Sequence, residues 1–304
     1  MKYTKIILIL LITYILYKKY NKNYRLENYE TTYEKIKKKY YSNYWNRPIV
    51  LINVMKKNDL EALNKLLIQG FNVNYKDEKG RTAIFYCKDK KTFNLLTSYG
   101  AKINLKDDTG RTLLQHYINL YNSQGFKDFK NDFKTGIKDI IELLLSYGVD
   151  VNMTDENDET ALSLILKSSY CDHALDVFKI LIKYGADCKS KTISNRTTIM
   201  TAAQNKNCNT LEFIKYLISN GADLFAIDKK GNNALFYATE TENIDLIKYL
   251  LSKGLDPNLV NKDGKNVINN TIKNGTRNIN KNSEVVHLLV SHGANYDHID
   301  YRLF

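Results

Sequence analysis

The chain is poor in the residues and motifs that build catalytic centres. Its four cysteines, Cys87, Cys171, Cys188 and Cys208, are far apart and never form a C-x-x-C pair. That excludes a disulfide framework and leaves buried free thiols as the expectation. There is no G-x-x-x-x-G-K-[ST] phosphate loop, no H-E-x-x-H and no G-x-S-x-G. The commonest sequence signatures of nucleotide, zinc-hydrolase and serine-hydrolase chemistry are therefore missing. Histidine is scarce, with five in 304 residues. The set His292, Asp297, His298 and Asp300 near the C-terminus is too thin to argue a metal site, and paired acids such as Asp107 and Asp108 fall in turn sequences. No enzyme activity, cofactor, metal or small-molecule substrate is expected.

Charge of one sign is confined to one end. Residues 1–47 hold eleven Lys/Arg against three Glu, +8 of the chain's net +12. The remaining 257 residues are close to balanced and lack the clustered basic face that nucleic acid requires, so no nucleic-acid partner is expected. Long apolar runs are also few. The one that exists, IILILLITYILY from Ile6 to Tyr17, spans about 22 Å as a helix when extended back to Tyr3. That is short of the roughly 30 Å hydrocarbon core. No small-x-small cleavage site follows it; Lys18, Lys19 and Tyr20 do, which suit a membrane interface. Residues 3–20 are expected to be an uncleaved, single-pass N-terminal membrane anchor with the repeats on the cytoplasmic side. A cleaved signal, giving a secreted protein, is the alternative. Residues 21–47 form a basic, Tyr-rich linker whose Leu26, Tyr29, Tyr33, Ile36 and Tyr40 share one helical stripe.

What the chain has in abundance is repetition. Aliphatic residues, a polar spacer, a glycine and often an Asn recur seven times, as in LLIQGFNVN from Leu66 and LLSKGLDPN from Leu250. The glycines are Gly70, Gly100, Gly148, Gly185, Gly221, Gly254 and Gly293, with a recurring spacing near 33. Each is expected to end an amphipathic helix in the left-handed conformation. About seven residues later comes D-x-x-G-x-T-A-hydrophobic, clearest at Asp77, Gly80, Thr82, Ala83, Ile84 and at Asp107, Gly110, Thr112, Leu113, Leu114. Weaker copies begin at Asp155, Asp228 and Asn261, and one runs through Asn195 and Thr197. Asp and Gly shape a turn and Thr or Asn caps the next helix.

A turn, two helices and a glycine stop at this period resemble the ankyrin repeat, over residues 48–295. The resemblance implies an all-α ankyrin-repeat solenoid of about seven repeats, here preceded by a hydrophobic N-terminal helix. Residues 48–69 would be its N-terminal cap, and residues 296–304 a C-terminal tail. The family's T-P-L-H box lacks its proline throughout. Phe85, Gln115, Ser163, Met200, Phe236 and Asn269 stand where histidine is usual, so weaker repeats are expected.

The resemblance further implies a non-catalytic scaffold that meets a protein partner at the turn tips: Glu78, Lys79, Arg81, Asp108, Thr109, Arg111, Glu156, Asn157, Lys229, Lys230 and Asn232. Arg81 and Arg111 hold equivalent places and would be solvated, or would form a basic rung for a partner's acid. The Gly100–Gly148 spacing exceeds the period by 15 residues. In that excess Phe126, Phe129 and Phe133 make a helical stripe, either a partner anchor or cover for the neighbouring core.

Overall fold

The computed structural model describes residues 48–123, 131–168, 171–206, 210–274 and 279–295. Among them are thirteen α-helices, one four-residue 3₁₀ turn and no strand. The helices come in pairs. α1 (Pro48–Lys57) and α2 (Leu60–Ile68) form the first. The 3₁₀ turn Ala83–Tyr86 and α3 (Lys90–Ser98) form the second. Then follow α4 (Leu113–Asn122) with α5 (Asn131–Ser146), and α6 (Ala161–Leu166) with α7 (Cys171–Lys183). The last three pairs are α8 (Thr198–Ala203) with α9 (Thr210–Ser219), α10 (Ala234–Thr241) with α11 (Ile244–Ser252), and α12 (Val267–Asn274) with α13 (Ile279–Ser291).

The pairs stack in chain order. From α4 onward each first helix packs on the first helix of the next pair, α4 on α6, α6 on α8, α8 on α10 and α10 on α12. Second helices follow on the outer layer, α9 on α11 and α11 on α13. All six residues of α8 are buried, as an inner helix with neighbours on every side must be. α11 buries only one face, through Leu246, Ile247, Leu250 and Leu251. Stability in such an array is mostly nearest-neighbour interface energy.

The helix boundaries follow the expected chemistry. Thr112, Thr160 and Thr197 accept from the backbone N–H three residues on, and Asn233 from those of Leu235 and Phe236. Second helices are capped by Asp59, Asp89 and Asn243. All seven helix-stop glycines have φ between 75° and 88°. At Gly185 the amide donates to Ile182 O at 2.9 Å and that of Ala186 to Leu181 O at 3.0 Å, the paired closure that only a left-handed residue permits.

Two expectations need correction. The second pair lacks a full first helix: Cys87 follows the single 3₁₀ turn and does not sit in a helix. Asp89 already caps α3, leaving no room for another turn between Thr82 and Asp89. The loss of hydrogen bonding at the box histidine position is also smaller than expected. Buried Gln115 donates to Met153 O at 3.0 Å and Glu159 O at 2.6 Å, and its Oε1 receives the Thr112 amide. Asn269 and Asn266 cap each other reciprocally, and Ser163 donates to Glu159 Oε2. Cys87 and Cys188 are buried free thiols.

Candidate interaction surface: the turn tips

Each of the first six pairs ends in a finger that runs from the glycine stop to a turn and back to the next helix. One side-chain acceptor organises most of the turns. Asp77 Oδ1 takes the amides of Lys79 and Arg81, both at 2.9 Å. Asp107, Asp155, Asp228 and Asn261 repeat the pattern to residues two and four further on. Burial pushes the Asp77 and Asp107 carboxyls up, but hydrogen bonds from Tyr86 to the former and Thr109 to the latter, with those backbone amides, hold both below their ordinary value. Each of these carboxylates is engaged by the amides of its own turn.

Successive tips are joined through backbone. Asp108 N donates to Lys79 O at 3.0 Å, Lys229 N to Ser194 O at 3.0 Å and Lys262 N to Lys230 O at 2.8 Å. The close approach explains the turn glycine: a Cβ on Gly80 would sit 2.8 Å from Asp108 N, and one on Gly231 3.3 Å from Lys262 N. Two turns do without glycine. Asp158 and Asn195 take its place at φ 56° and 59°, as Asp and Asn can.

Side chains form a second ladder. Asn74 Nδ2 donates to Gly100 O at 2.8 Å while its Oδ1 accepts from Lys102 N at 2.8 Å. Asn152 does the same with Gly185 and Asp187, and Asn258 with Gly293 and Asn295. Asn74, Asn152 and Asn258, each four residues after a helix-stop glycine, are thus amide clamps onto the next finger.

The site residues read from the sequence divide into two groups. Glu78, Lys79, Asp108, Thr109, Glu156, Asn157, Lys229 and Lys230 are exposed on the tips. Arg81, Arg111 and Asn232 are half-buried and already used. Arg81 Nε lies 3.2 Å from Asp107 Oδ2, and Arg111 Nε 3.8 Å from Asp155 Oδ2. Asn232 Oδ1 accepts from Asn261 Nδ2 at 2.9 Å. Each arginine thus stands against the buried turn acid of the next finger, Arg81 closely and Arg111 more loosely, with its side chain still 39% exposed. Arg196, in the same slot, lies over the Tyr237 ring at 4.4 Å. The signal for this was the recurrence of the basic residue four positions after the turn acid. Phe126 and Phe129, and the side chain of Phe133, lie outside the described residues, as does the 3–20 segment. Among the described residues no helix is long and apolar enough to cross a membrane, and no group of three metal-binding side chains occurs.

A row of helix pairs with backbone-linked fingers defines a helical-repeat solenoid protein. The family of ankyrin repeats (3 copies) matches residues 133–226, 169–261 and 199–300, more than half of the chain, and the chain belongs to that family. No curated protein matches the chain.

Proposed function

We propose that this chain is a non-catalytic protein-interaction scaffold whose ankyrin stack runs through all seven helix pairs, residues 48–295, and whose partner meets the turn tips. The observation that carries the reading is the division of labour on the fingers. Turn acids, glycines, arginines and asparagine clamps are consumed in holding the fingers together, while the tip side chains at positions 78–79, 108–109, 156–157 and 229–230 are left in solvent. A rigid support with variable exposed side chains is how a repeat protein presents a binding surface. The same reading tethers the stack to a membrane through residues 3–20, in keeping with the apolar run and the basic, tyrosine-bearing flank that follows it.

The test uses the full chain as bait. Glu78, Lys79 and Asp108 are replaced together by alanine, and co-purified proteins are compared by mass spectrometry. At least one abundant partner should fall ten-fold while the unfolding midpoint holds. If the two profiles coincide, the tips do not bind. Separately, removal of residues 1–20 should move the protein from the membrane pellet to the supernatant; pelleting unchanged by the deletion removes the tether.

A further inference from the structure

Large exposed apolar side chains concentrate on three successive fingers. Ile193, Phe225, Ile227 and Val260 are 61%, 63%, 48% and 59% exposed. From Gly221 to Asp228 burial alternates at every residue, so the finger leaves Asp223, Phe225 and Ile227 exposed while Ala222, Leu224 and Ala226 are buried. Equivalent positions on the flanking fingers are Asp187, Lys189 and Lys191 on one side, and Asp256, Asn258 and Val260 on the other. The tip connections between Lys229 and Ser194 and between Lys262 and Lys230 hold the three fingers side by side.

These apolar residues stand in slots that are polar elsewhere in the stack. The position before the turn is Lys76, Lys106, Thr154 and Lys191 in the earlier fingers, then Ile227 and Val260. The first tip position is Glu78, Asp108 and Glu156, then Ile193. Phe225 holds the slot in which Asn74, Asn152 and Asn258 clamp the next finger. A phenyl ring cannot make that clamp, so folding alone disfavours it there. Charge varies across the face as well. Lys191, Lys229, Lys230 and Lys262 are exposed at its tip side. Asp187, Asp223 and Asp256 lie at its helix side, each turned onto a backbone amide at 2.8–2.9 Å.

We propose that this face binds an extended segment of a partner protein in which acidic side chains accompany aliphatic or aromatic ones. The apolar members cover Phe225 and Ile227, and the acids meet the tip lysines. This rests on the scaffold reading and adds the partner's chemistry and its place on the stack. The charge pattern favours a peptide over the other anionic occupants. A flat anionic bilayer pressed on the lysines would also press on the row of aspartates, and nucleic acid calls for stacking rings where Ile193, Ile227 and Val260 are aliphatic. The basic segment 1–47 has the wrong sign.

A random 12-residue peptide library displayed on phage, selected on the full chain, tests it. The enriched peptides should be net acidic with at least one large apolar residue. A synthetic member should lose at least ten-fold in affinity on Phe225→Asn, which restores the clamp residue and so keeps the fold. It should lose a similar factor on Lys229→Glu with Lys230→Glu, and weaken as salt rises. Ile68→Ser, which removes an equally exposed apolar residue from α2, should leave binding unchanged. Neutral or basic winners, or peptides indifferent to Phe225→Asn, overturn the proposal. Binding lost only on substitution of Glu78 and Lys79 overturns it while leaving the scaffold reading intact. A library that yields no binder counts against both. Co-sedimentation with phosphatidylcholine–phosphatidylserine vesicles that Phe225→Asn abolishes would assign the face to lipid, and a dimer in sedimentation that Phe225→Asn dissociates would assign it to a second copy; either overturns the peptide.

Discussion

In the second helix pair Tyr86 donates to Asp77 Oδ2 at 2.5 Å, and in the sixth Tyr237 donates to Asp228 Oδ2 at 2.5 Å. The finger, the turn acid and the tyrosine nine residues on are the same in both. The helices are not. The sixth pair has eight residues in α10, whereas the second has only the 3₁₀ turn Ala83–Tyr86. The carbonyls a longer helix would have used internally are taken by the third pair. His116 Nε2 lies 3.0 Å from Phe85 O, and Tyr117 OH donates to Ile84 O at 2.6 Å and Cys87 O at 3.2 Å. Loss of a helical turn is thus offset by the neighbour's side chains, because buried carbonyls must find donors somewhere. The seventh pair serves the longer sixth as well, Asn270 Nδ2 donating to Phe236 O at 3.3 Å, but the second pair takes donors from the third at Ile84, Phe85 and Cys87 together.

That dependence should be visible in pH. Burial, and then the Arg81 charge, lower the His116 pKa to about 4, against the partial support of its bond to Phe85 O. Folded protein therefore binds fewer protons than unfolded protein between about 4 and 6.5. Stability is fully present above the unfolded value and falls as pH drops through that window. At about 1.4 kcal/mol per unit the loss approaches about 3 kcal/mol. Urea unfolding at pH 7 and pH 4.5, compared between wild type and His116→Gln, checks it: the variant should lose most of the difference. Equal pH dependence in the two would mean that the histidine is not buried neutral.

The two classes of glycine give the next largest effects. Gly80→Ala must displace Asp108 as well as strain a left-handed backbone, at a cost of about 2–3 kcal/mol. A thermal midpoint within a degree of wild type would show that the fingers are not in contact. Gly185 also has positive φ, but a Cβ there meets nothing within 4 Å. Gly185→Ala should therefore cost only the conformational strain, about 1 kcal/mol. If it costs as much as Gly80→Ala, the distinction between stop and contact glycines fails.

The smallest effect has the opposite sign. Phe225→Asn should give the fifth finger the clamp that Asn74, Asn152 and Asn258 provide at other junctions, raising stability by about 0.5–1 kcal/mol. Destabilisation instead would mean that the ring contributes to packing in the free protein. The contrast with Gly80→Ala is direct, since one change breaks a finger junction and the other adds to one.

Much of this was legible along the chain. The seven glycines, the Thr and Asn caps and the turn acids are local devices, set by φ preferences and by hydrogen bonds to residues two to four positions away. The shortened second pair was not read from the sequence, although Gly70 to Gly100 is 30 residues where the period is near 33, and three residues are about one helical turn. Glu78, Lys79, Asp108 and Thr109, read from the turn pattern as tip residues, are exposed there. The partners of Arg81 and Arg111 were not legible, since each arginine reaches an acid on the following finger.

The sequence by itself determined the repeat, its helix pairs, its caps and stops and the family it belongs to, because each rests on short-range backbone geometry repeated at a fixed interval. Only the tertiary structure decided what the side chains between those signals do. Stacking sets one finger beside the next, and that alone turns an asparagine into a clamp, an arginine into the counter-ion of a buried aspartate, and His116 and Tyr117 into caps for another pair's carbonyls. It also separates Phe225 and Ile227 from the core: in sequence they are two more apolar residues near a glycine, and in the stack the two-residue alternation of the finger turns them outward while Leu224 and Ala226 turn in.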